Sequence, residues 1–301
     1  MQRLVILGGG ESGVGTAILG QKQGYDVFVS DFGRIKDNYR EVLKQYEIKW
    51  EDETHTESMI LNADVVMKSP GIPEKATIVK ALIEKGIPVI SEIEFAAQFT
   101  TAKTIGITGS NGKTTTTMLT YHLLKQGGLN VGLGGNIGKS FALQVAEENY
   151  DCYVLELSSF QLDGNIKYRP DLAIITNISP DHLDRYEYKY ENYIASKFRI
   201  TKNQTEQDFL IVDNDDVEIK KWLENNKIKA QLIPFSLTKK IENGASIEEQ
   251  NLDLNVRGTN YCENLVYYKV KEKTSNEPVK RFYYRSTKWN GSIFQKTSSG
   301  S

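Results

Sequence analysis

The run Gly109-Ser110-Asn111-Gly112-Lys113-Thr114-Thr115 carries the densest chemistry in the chain, and it follows the apolar segment Thr104-Ile105-Gly106-Ile107-Thr108. A strand, a glycine-rich loop and the start of a helix form a cradle for a nucleotide phosphate. Backbone N–H groups and the positive end of the helix dipole converge on the anion. Lys113 adds a point charge near the terminal phosphates, and Thr114 offers a hydroxyl to Mg²⁺. The first glycine of the G-x-x-x-x-G-K-[ST] pattern would fall at Ile107; the loop glycine is Gly109 instead.

Other polar clusters each follow an apolar run. Gly8-Gly9-Gly10-Glu11-Ser12-Gly13 follows the first, and Asp31 closes the second. This is either a tight βα turn or a diphosphate loop with a ribose-binding acid, and alone it favours a nicotinamide site only slightly. Ser69-Pro70-Gly71-Ile72-Pro73 reads first as a rigid turn, though one at a sheet edge where ligands bind. Glu156, ahead of Leu157-Ser158-Ser159-Phe160-Gln161-Leu162, suits Mg²⁺ coordination or, more plainly, a cap or ion pair. His182, in Asn177-Ile178-Ser179-Pro180-Asp181-His182-Leu183-Asp184-Arg185, is one of 3 histidines and reads as a metal ligand or a contact to a transferring phosphoryl group. Lys197 reads by pattern as a solvated lysine on an amphipathic helix.

The elements that must position these residues alternate. Strands are expected at 4–7, 27–30, 65–68, 88–90, 104–108, 153–156, 172–176, 209–212 and 230–234, with helical spacing at 92–99, 114–126 and 193–202. Such alternation predicts parallel sheets covered by helices, an α/β fold. A boundary is expected near residue 100, and the alternation stops near 236. The domains expected are therefore 1–100, 101–236 and an irregular tail, 237–301, whose segment 243–255 looks polar and aperiodic.

With 301 residues, 37 basic and 39 acidic, two cores fit and no general affinity for nucleic acid or anionic membrane is expected. Cys152 and Cys262 form no disulfide framework, and no signal peptide or membrane-spanning run is recognised. A soluble, cytoplasmic monomer is expected.

Together the motifs resemble the Mur ligase family, ATP-dependent amide-forming enzymes of peptidoglycan synthesis. The carriers are T-G-S-N-G-K-T-T at 108–115, G-G-N-I-G at 134–138, E-L-S-S-F-Q-L at 156–162, S-P-D-H-L-D-R-Y at 179–186 and S-P-G-I at 69–72. E-L-S-S-F-Q-L points to the D-glutamate-adding branch. The resemblance covers about residues 1–235. It implies a Rossmann-like domain binding UDP rather than NAD, then a parallel-sheet P-loop-type ATPase domain. Glu11 and Ser12 would lie at the diphosphate, Asp31 near the uracil, and Ser69 and Gly71 along the same ligand. Asn136, Ser158 and His182 would contact the substrate. Gly109 to Thr115 would hold ATP, with Lys113, His182 and Lys197 catalytic. Thr114, Glu156, His182 and Lys197 would serve Mg²⁺, Lys197 as a carbamate formed with CO₂. The implied partners are UDP-N-acetylmuramoyl-L-alanine and D-glutamate, joined through an acyl phosphate.

Two departures shape the expectation. The family's C-terminal domain is not expected in these residues, and its H-N-x-x-N element finds no proper match; Asn260 and Asn264 echo the latter with the wrong spacing. A lost reading frame after about residue 236, or a truncated product, is expected. D-glutamate would then need a third domain to be supplied, and a catalytically inactive ATP- and UDP-sugar-binding fragment is the alternative. A folylpolyglutamate synthase is disfavoured by the N-terminal glycine loop and E-L-S-S-F-Q-L. A dehydrogenase is disfavoured by the second phosphate site.

Overall fold

The computed structural model describes the backbone of residues 1–248, 251–256 and 259–260, and side chains through 246. It divides into two compact units, one of residues 1–212 with 216–232 and one of 213–215 with 233 onwards.

The first unit holds two parallel sheets. Its N-terminal sheet is made of β1 (Arg3–Leu7), β2 (Asp26–Ser30), β3 (Lys49–Glu51), β4 (Val65–Lys68) and β5 (Val89–Ile90), in the order β3-β2-β1-β4-β5. The four C-terminal residues of β1 and of β2 are buried, as expected of strands covered on both faces. The helix Glu11–Lys22 is buried from Gly13 to Gly20, because the sheet lies on one side and helix Phe141–Glu147 on the other. That close approach needs glycine: a Cβ on Gly15 would lie 2.0 Å from Ser140 Oγ.

The other sheet of this unit contains β6 (Lys103–Thr108), β7 (Val131–Gly135), β8 (Cys152–Glu156), β9 (Leu172–Ile175) and β10 (Phe209–Asp213), ordered β10-β9-β6-β8-β7. All pair in parallel, with Ile105 opposite Leu172 and Val154, and Ile107 opposite Ile174 and Glu156. One apolar core runs through both sheets, from Leu4 and Ile6 through Phe95 and Phe141 to Leu210 and Ile219.

The strands expected from sequence are present to within two residues at each end. β3 and β7 were not expected; β3 is short, and β7, Val-Gly-Leu-Gly-Gly, lacks a β-branched run. The helix expected at 193–202 begins earlier, at Tyr190, and passes into a 3-10 turn at Arg199–Thr201.

The second unit contains β11 (Gln231–Ser236) from Ile233 onwards, β12 (Gly244–Glu248), β13 (Asn251–Val256) and β14 (Thr259–Asn260). β12 and β13 are antiparallel, pairing Ala245 with Leu254 and Ile247 with Leu252. The segment expected to be aperiodic is therefore a hairpin: Leu252, Leu254 and Val256 alternate with polar residues at the strand period. Cys262, Asn264 and the rest of the tail beyond residue 260 lie outside the described residues. Among the described residues no helix is long and apolar enough to cross a membrane.

Candidate active site

β6 delivers the chain into the loop 109–112, and helix Lys113–Gln126 starts directly behind it. Gly109 and Gly112 have φ of +146° and +77°, values that favour glycine. At Gly109 space excludes any side chain as well, since a Cβ would lie 1.9 Å from Thr176 Oγ1.

The loop is braced by the segment after β9. Asn177 O accepts from Ser110 N at 2.9 Å, and Asn177 Oδ1 accepts from Asn111 N at 3.0 Å. Ser110 Oγ donates to Ser179 O at 2.8 Å and lies 3.1 Å from the Tyr193 hydroxyl. Thr114 and Thr115 are exposed on the first helical turn. Lys113 Nζ donates to Gly109 O and Ser110 O at 3.0 and 2.9 Å, so its ammonium sits across its own loop.

Lys197 also reaches Gly109. It is 2% exposed, donates from Nζ to Gly109 O at 2.7 Å, and sits 4.5 Å from the Tyr193 ring centroid. Burial, reinforced by the Lys113 charge, pushes its pKa down to about 7. The solvated lysine suggested by helical pattern is therefore a buried one. At neutral pH a large share of it is an uncharged amine, able to act as a nucleophile.

Glu156 closes β8 opposite Ile107. It is 1% exposed; Oε1 accepts from Asn136 Nδ2 at 2.8 Å, while Oε2 is buried with no hydrogen-bond partner. A buried carboxylate oxygen without a donor is costly, and a cation supplies what the protein withholds. Among the described residues no group of three His, Cys, Asp or Glu forms a metal cage. The donor set fits Mg²⁺, which is held by one or two carboxylates together with phosphates and water.

Gly71, Lys113, Asn136, Ser158, His182 and Lys197 share one pocket of about 290 Å³. Sequence reasoning assigned no role to Phe160, Asp181, Arg185 or Tyr193, which line it too. Arg185 stacks over Phe160 at 4.3 Å, and Phe160 lies 5.3 Å from the His182 ring. The D-H-L-D-R turn was the available signal, but which of its charges faces the pocket follows from its geometry: His182 adopts φ +49°. The His182 side chain is more than half exposed, with Nε2 3.5 Å from Asp181 Oδ2. Ser158 caps the following helix, accepting from Gln161 N and donating to Gln161 Oε1.

The remaining expected residues gather around the first glycine loop. Asp31 Oδ2 accepts from Gly9 N at 2.7 Å and Oδ1 from Gly33 N at 2.8 Å. Ser69 Oγ contacts Gly8 O at 3.5 Å, and Glu11 Oε1 accepts from Ser140 N at 3.1 Å. Ser12 is half-buried on the first helical turn. Unforeseen were two buried carboxylates on helix Glu92–Ala96. Glu92 accepts from Ser140 Oγ and Ala142 N at 2.6 and 3.1 Å. Glu94 accepts from the consecutive amides of Ile166, Lys167 and Tyr168 at 2.8–3.0 Å.

Known proteins bear on this arrangement. The family model described as Mur ligase middle domain matches residues 107–278, and that described as MurD N-terminal domain matches 3–78. A UDP-N-acetylmuramoylalanine--D-glutamate ligase of Christiangramia forsetii is 64% identical over 260 residues, 86% of this chain and 58% of that protein. The protein of the same name from Bacteroides fragilis is 56% identical over 252 residues, 84% and 57% of the two chains. In fold, the chain is similar to the crystal structure of UDP-N-acetylmuramate:L-alanyl-gamma-D-glutamyl-meso-diaminopimelate ligase from Neisseria meningitides. The TM-score is 0.58 at 18% identity, covering 86% of this chain and 85% of that one. The chain thus spans under three fifths of the length of the curated relatives it matches. The middle-domain match runs on to residue 278, so the family pattern does not stop near 236 as the loss of alternation had suggested. With that model matching more than half of its residues, and the MurD N-terminal model preceding it, the chain belongs to the Mur ligase family.

Proposed function

We propose that the described residues form the carboxylate-activating part of an ATP-dependent ligase that joins D-glutamate to UDP-N-acetylmuramoyl-L-alanine in peptidoglycan precursor synthesis. In this reading residues 1–100 bind the UDP end of the substrate and 101–236 bind ATP. The substrate carboxylate attacks the γ-phosphorus of ATP, forming an acyl phosphate and releasing ADP. The D-glutamate amine then adds to the acyl carbon, and inorganic phosphate leaves with the electron pair of the C–O bond. A bare carboxylate has no adequate leaving group; phosphorylation supplies one.

The chain's own residues contribute position and charge. The amides of 109–112, with Lys113, would hold the β- and γ-phosphates, and Thr114 and Glu156 would hold Mg²⁺. When bound, the metal neutralises charge on the phosphate oxygens. The largely neutral Lys197 amine would add CO₂ and lose a proton, becoming an anionic oxygen ligand for the metal. Asn136 orients Glu156 and, with Ser158 and His182, would contact the muramoyl end. Glu11, Ser12, Asp31, Ser69 and Gly71 would line the path of the diphosphate and uridine.

The observation that carries this reading is the unpartnered, buried Glu156 Oε2 beside the phosphate loop. The names of the relatives support the choice of substrates. The test is phosphate release from ATP with UDP-N-acetylmuramoyl-L-alanine, with and without D-glutamate. Release that requires the UDP substrate supports acyl phosphate formation; binding of both ligands without release supports a non-catalytic, ATP- and UDP-sugar-binding role. Release indifferent to the UDP substrate contradicts both.

A further inference from the structure

We propose that Glu92 is a positioning residue for the diphosphate: a proton held on Glu92 Oε2 is donated to the Ser12 oxygen, which turns the Ser12 O–H toward a phosphate oxygen. This rests on reading the loop Gly8 to Gly13 as the diphosphate site. Ser12 is half-buried on the first turn of helix Glu11–Lys22, whose N-cap, Gly10, offers no side chain to the helix amides. Those amides and the helix dipole are left for an anion. A hydroxyl beside them helps an anion only as a donor, and a serine has one proton to give.

Glu92 decides where that proton points. Its side chain is 2% exposed, on helix Glu92–Ala96. Oε1 accepts from Ser140 Oγ at 2.6 Å and from Ala142 N at 3.1 Å. Ser140 Oγ in turn accepts from Leu143 N at 3.1 Å. A carboxyl proton on Oε1 would leave the buried Ser140 hydroxyl with a proton and no acceptor, so Oε1 is the accepting oxygen. Oε2 is buried with no hydrogen-bond partner. The Ser12 hydroxyl stands against the same carboxyl without completing a bond to Oε2.

Ionised, this group would hold a bare anionic oxygen in the interior. Burial pushes its carboxyl up, and the like charge of Glu11 adds to that, against the opposing pull of the Ser12 and Ser140 hydroxyls and the Ala142 amide. Glu11 Oε1 accepts from Ser140 N at 3.1 Å, so the two carboxyl groups meet at one serine. A diphosphate on the loop brings further negative charge to this pair and favours the neutral acid again. With Oε1 accepting, the proton belongs on Oε2, and the hydroxyl placed to receive it is that of Ser12.

Calorimetric titration of the whole chain with UDP, its phosphate loop saturated by Mg²⁺-ADP, tests this. Ser12→Ala should weaken UDP about ten- to hundredfold, the loss of one hydrogen bond to a charged group. Glu92→Met, which has no donor to give, should weaken UDP to a similar extent. Glu92→Gln puts an amide N–H where the acid O–H stood, and should bind UDP within about threefold of the parent. Mg²⁺-ADP affinity should stay within about twofold in all three variants, which separates these effects from loss of the fold. Infrared difference spectra of parent against Glu92→Gln should show a protonated-carboxyl band. That band should shift when UDP binds the parent and stay in place in Ser12→Ala. A loss of about tenfold or more in Glu92→Gln would mean that an anionic carboxylate is required, and would overturn the proposal. Parent-like UDP affinity in Glu92→Met, or an ionised-carboxylate band in the difference spectrum, would overturn it as well. A parent chain that binds no UDP would instead overturn the diphosphate reading beneath it.

Discussion

Glu156 and Lys197 are the residues whose environments say most. Each is buried beside the phosphate loop, one with an oxygen lacking a donor and one with an amine that burial discharges. Glu156→Gln keeps the side chain's size but removes the charge. It should lower Mg²⁺-dependent ADP affinity by about tenfold or more and leave metal-free affinity unchanged, as read by titration with and without EDTA. Lys197 yields a stability prediction whose sign follows from linkage. Its folded-state pKa, about 7, lies below the ordinary 10.5. Between those values the unfolded chain binds more protons, so this residue makes stability rise with pH above 7. Lys197→Met should raise the urea midpoint at pH 7 and flatten that rise between about pH 7 and 9.5 relative to the parent. A parent and variant with parallel pH profiles would contradict the buried-amine description. Of these two, only Glu156 was legible as chemistry from its position at a strand end. Lys197 looked solvated, because helical periodicity cannot register that its Nζ reaches the Gly109 carbonyl of a loop 88 residues away.

At the scale of elements, the β-branched runs made most strands of the first unit readable. The exceptions have physical causes. β7 is glycine-rich because large side chains crowd it: a Cβ on Gly132 would lie 2.7 Å from the Tyr153 ring. β12 and β13 hide their alternation among Asn, Asp and Glu. The helix Glu92–Ala96 was visible as a helix but not as a clamp. Its Glu94 satisfies three consecutive amides reached only in the folded chain, at 72 to 74 residues' separation. Glu94→Ala should therefore cost about 1–3 kcal/mol by urea unfolding, since it strands the buried Tyr168 amide and removes the partner of the part-buried Ile166 and Lys167 amides, with Glu94→Gln recovering part of the loss. A change below about 0.5 kcal/mol would mean that these amides find other partners. Gly109→Ala should abolish nucleotide binding, because positive φ and the Thr176 contact both resist a side chain. Nucleotide affinity preserved in that variant would show that the loop can re-form around a Cβ.

Across the molecule, one compact unit carries both glycine loops, and helix Glu92–Ala96 joins their sheets through carboxylate contacts. Alternation and motif order made this two-sheet arrangement readable; the hairpin after residue 243 was not, and neither was the continuation of the family match past 236. The functional account makes the two loops separate sites that are filled together: a UDP-sugar on Gly8 to Gly13 and Mg²⁺-nucleotide on Gly109 to Thr115. The direct measurement is titration of the chain with UDP-N-acetylmuramoyl-L-alanine and with a non-hydrolysable ATP analogue, each alone and in the presence of the other. The account predicts one site for each, simultaneous occupancy, Mg²⁺ dependence for the nucleotide alone, and loss of the nucleotide alone in Lys113→Ala. Mutual exclusion of the two ligands, or nucleotide binding untouched by Lys113→Ala and by EDTA, would contradict it.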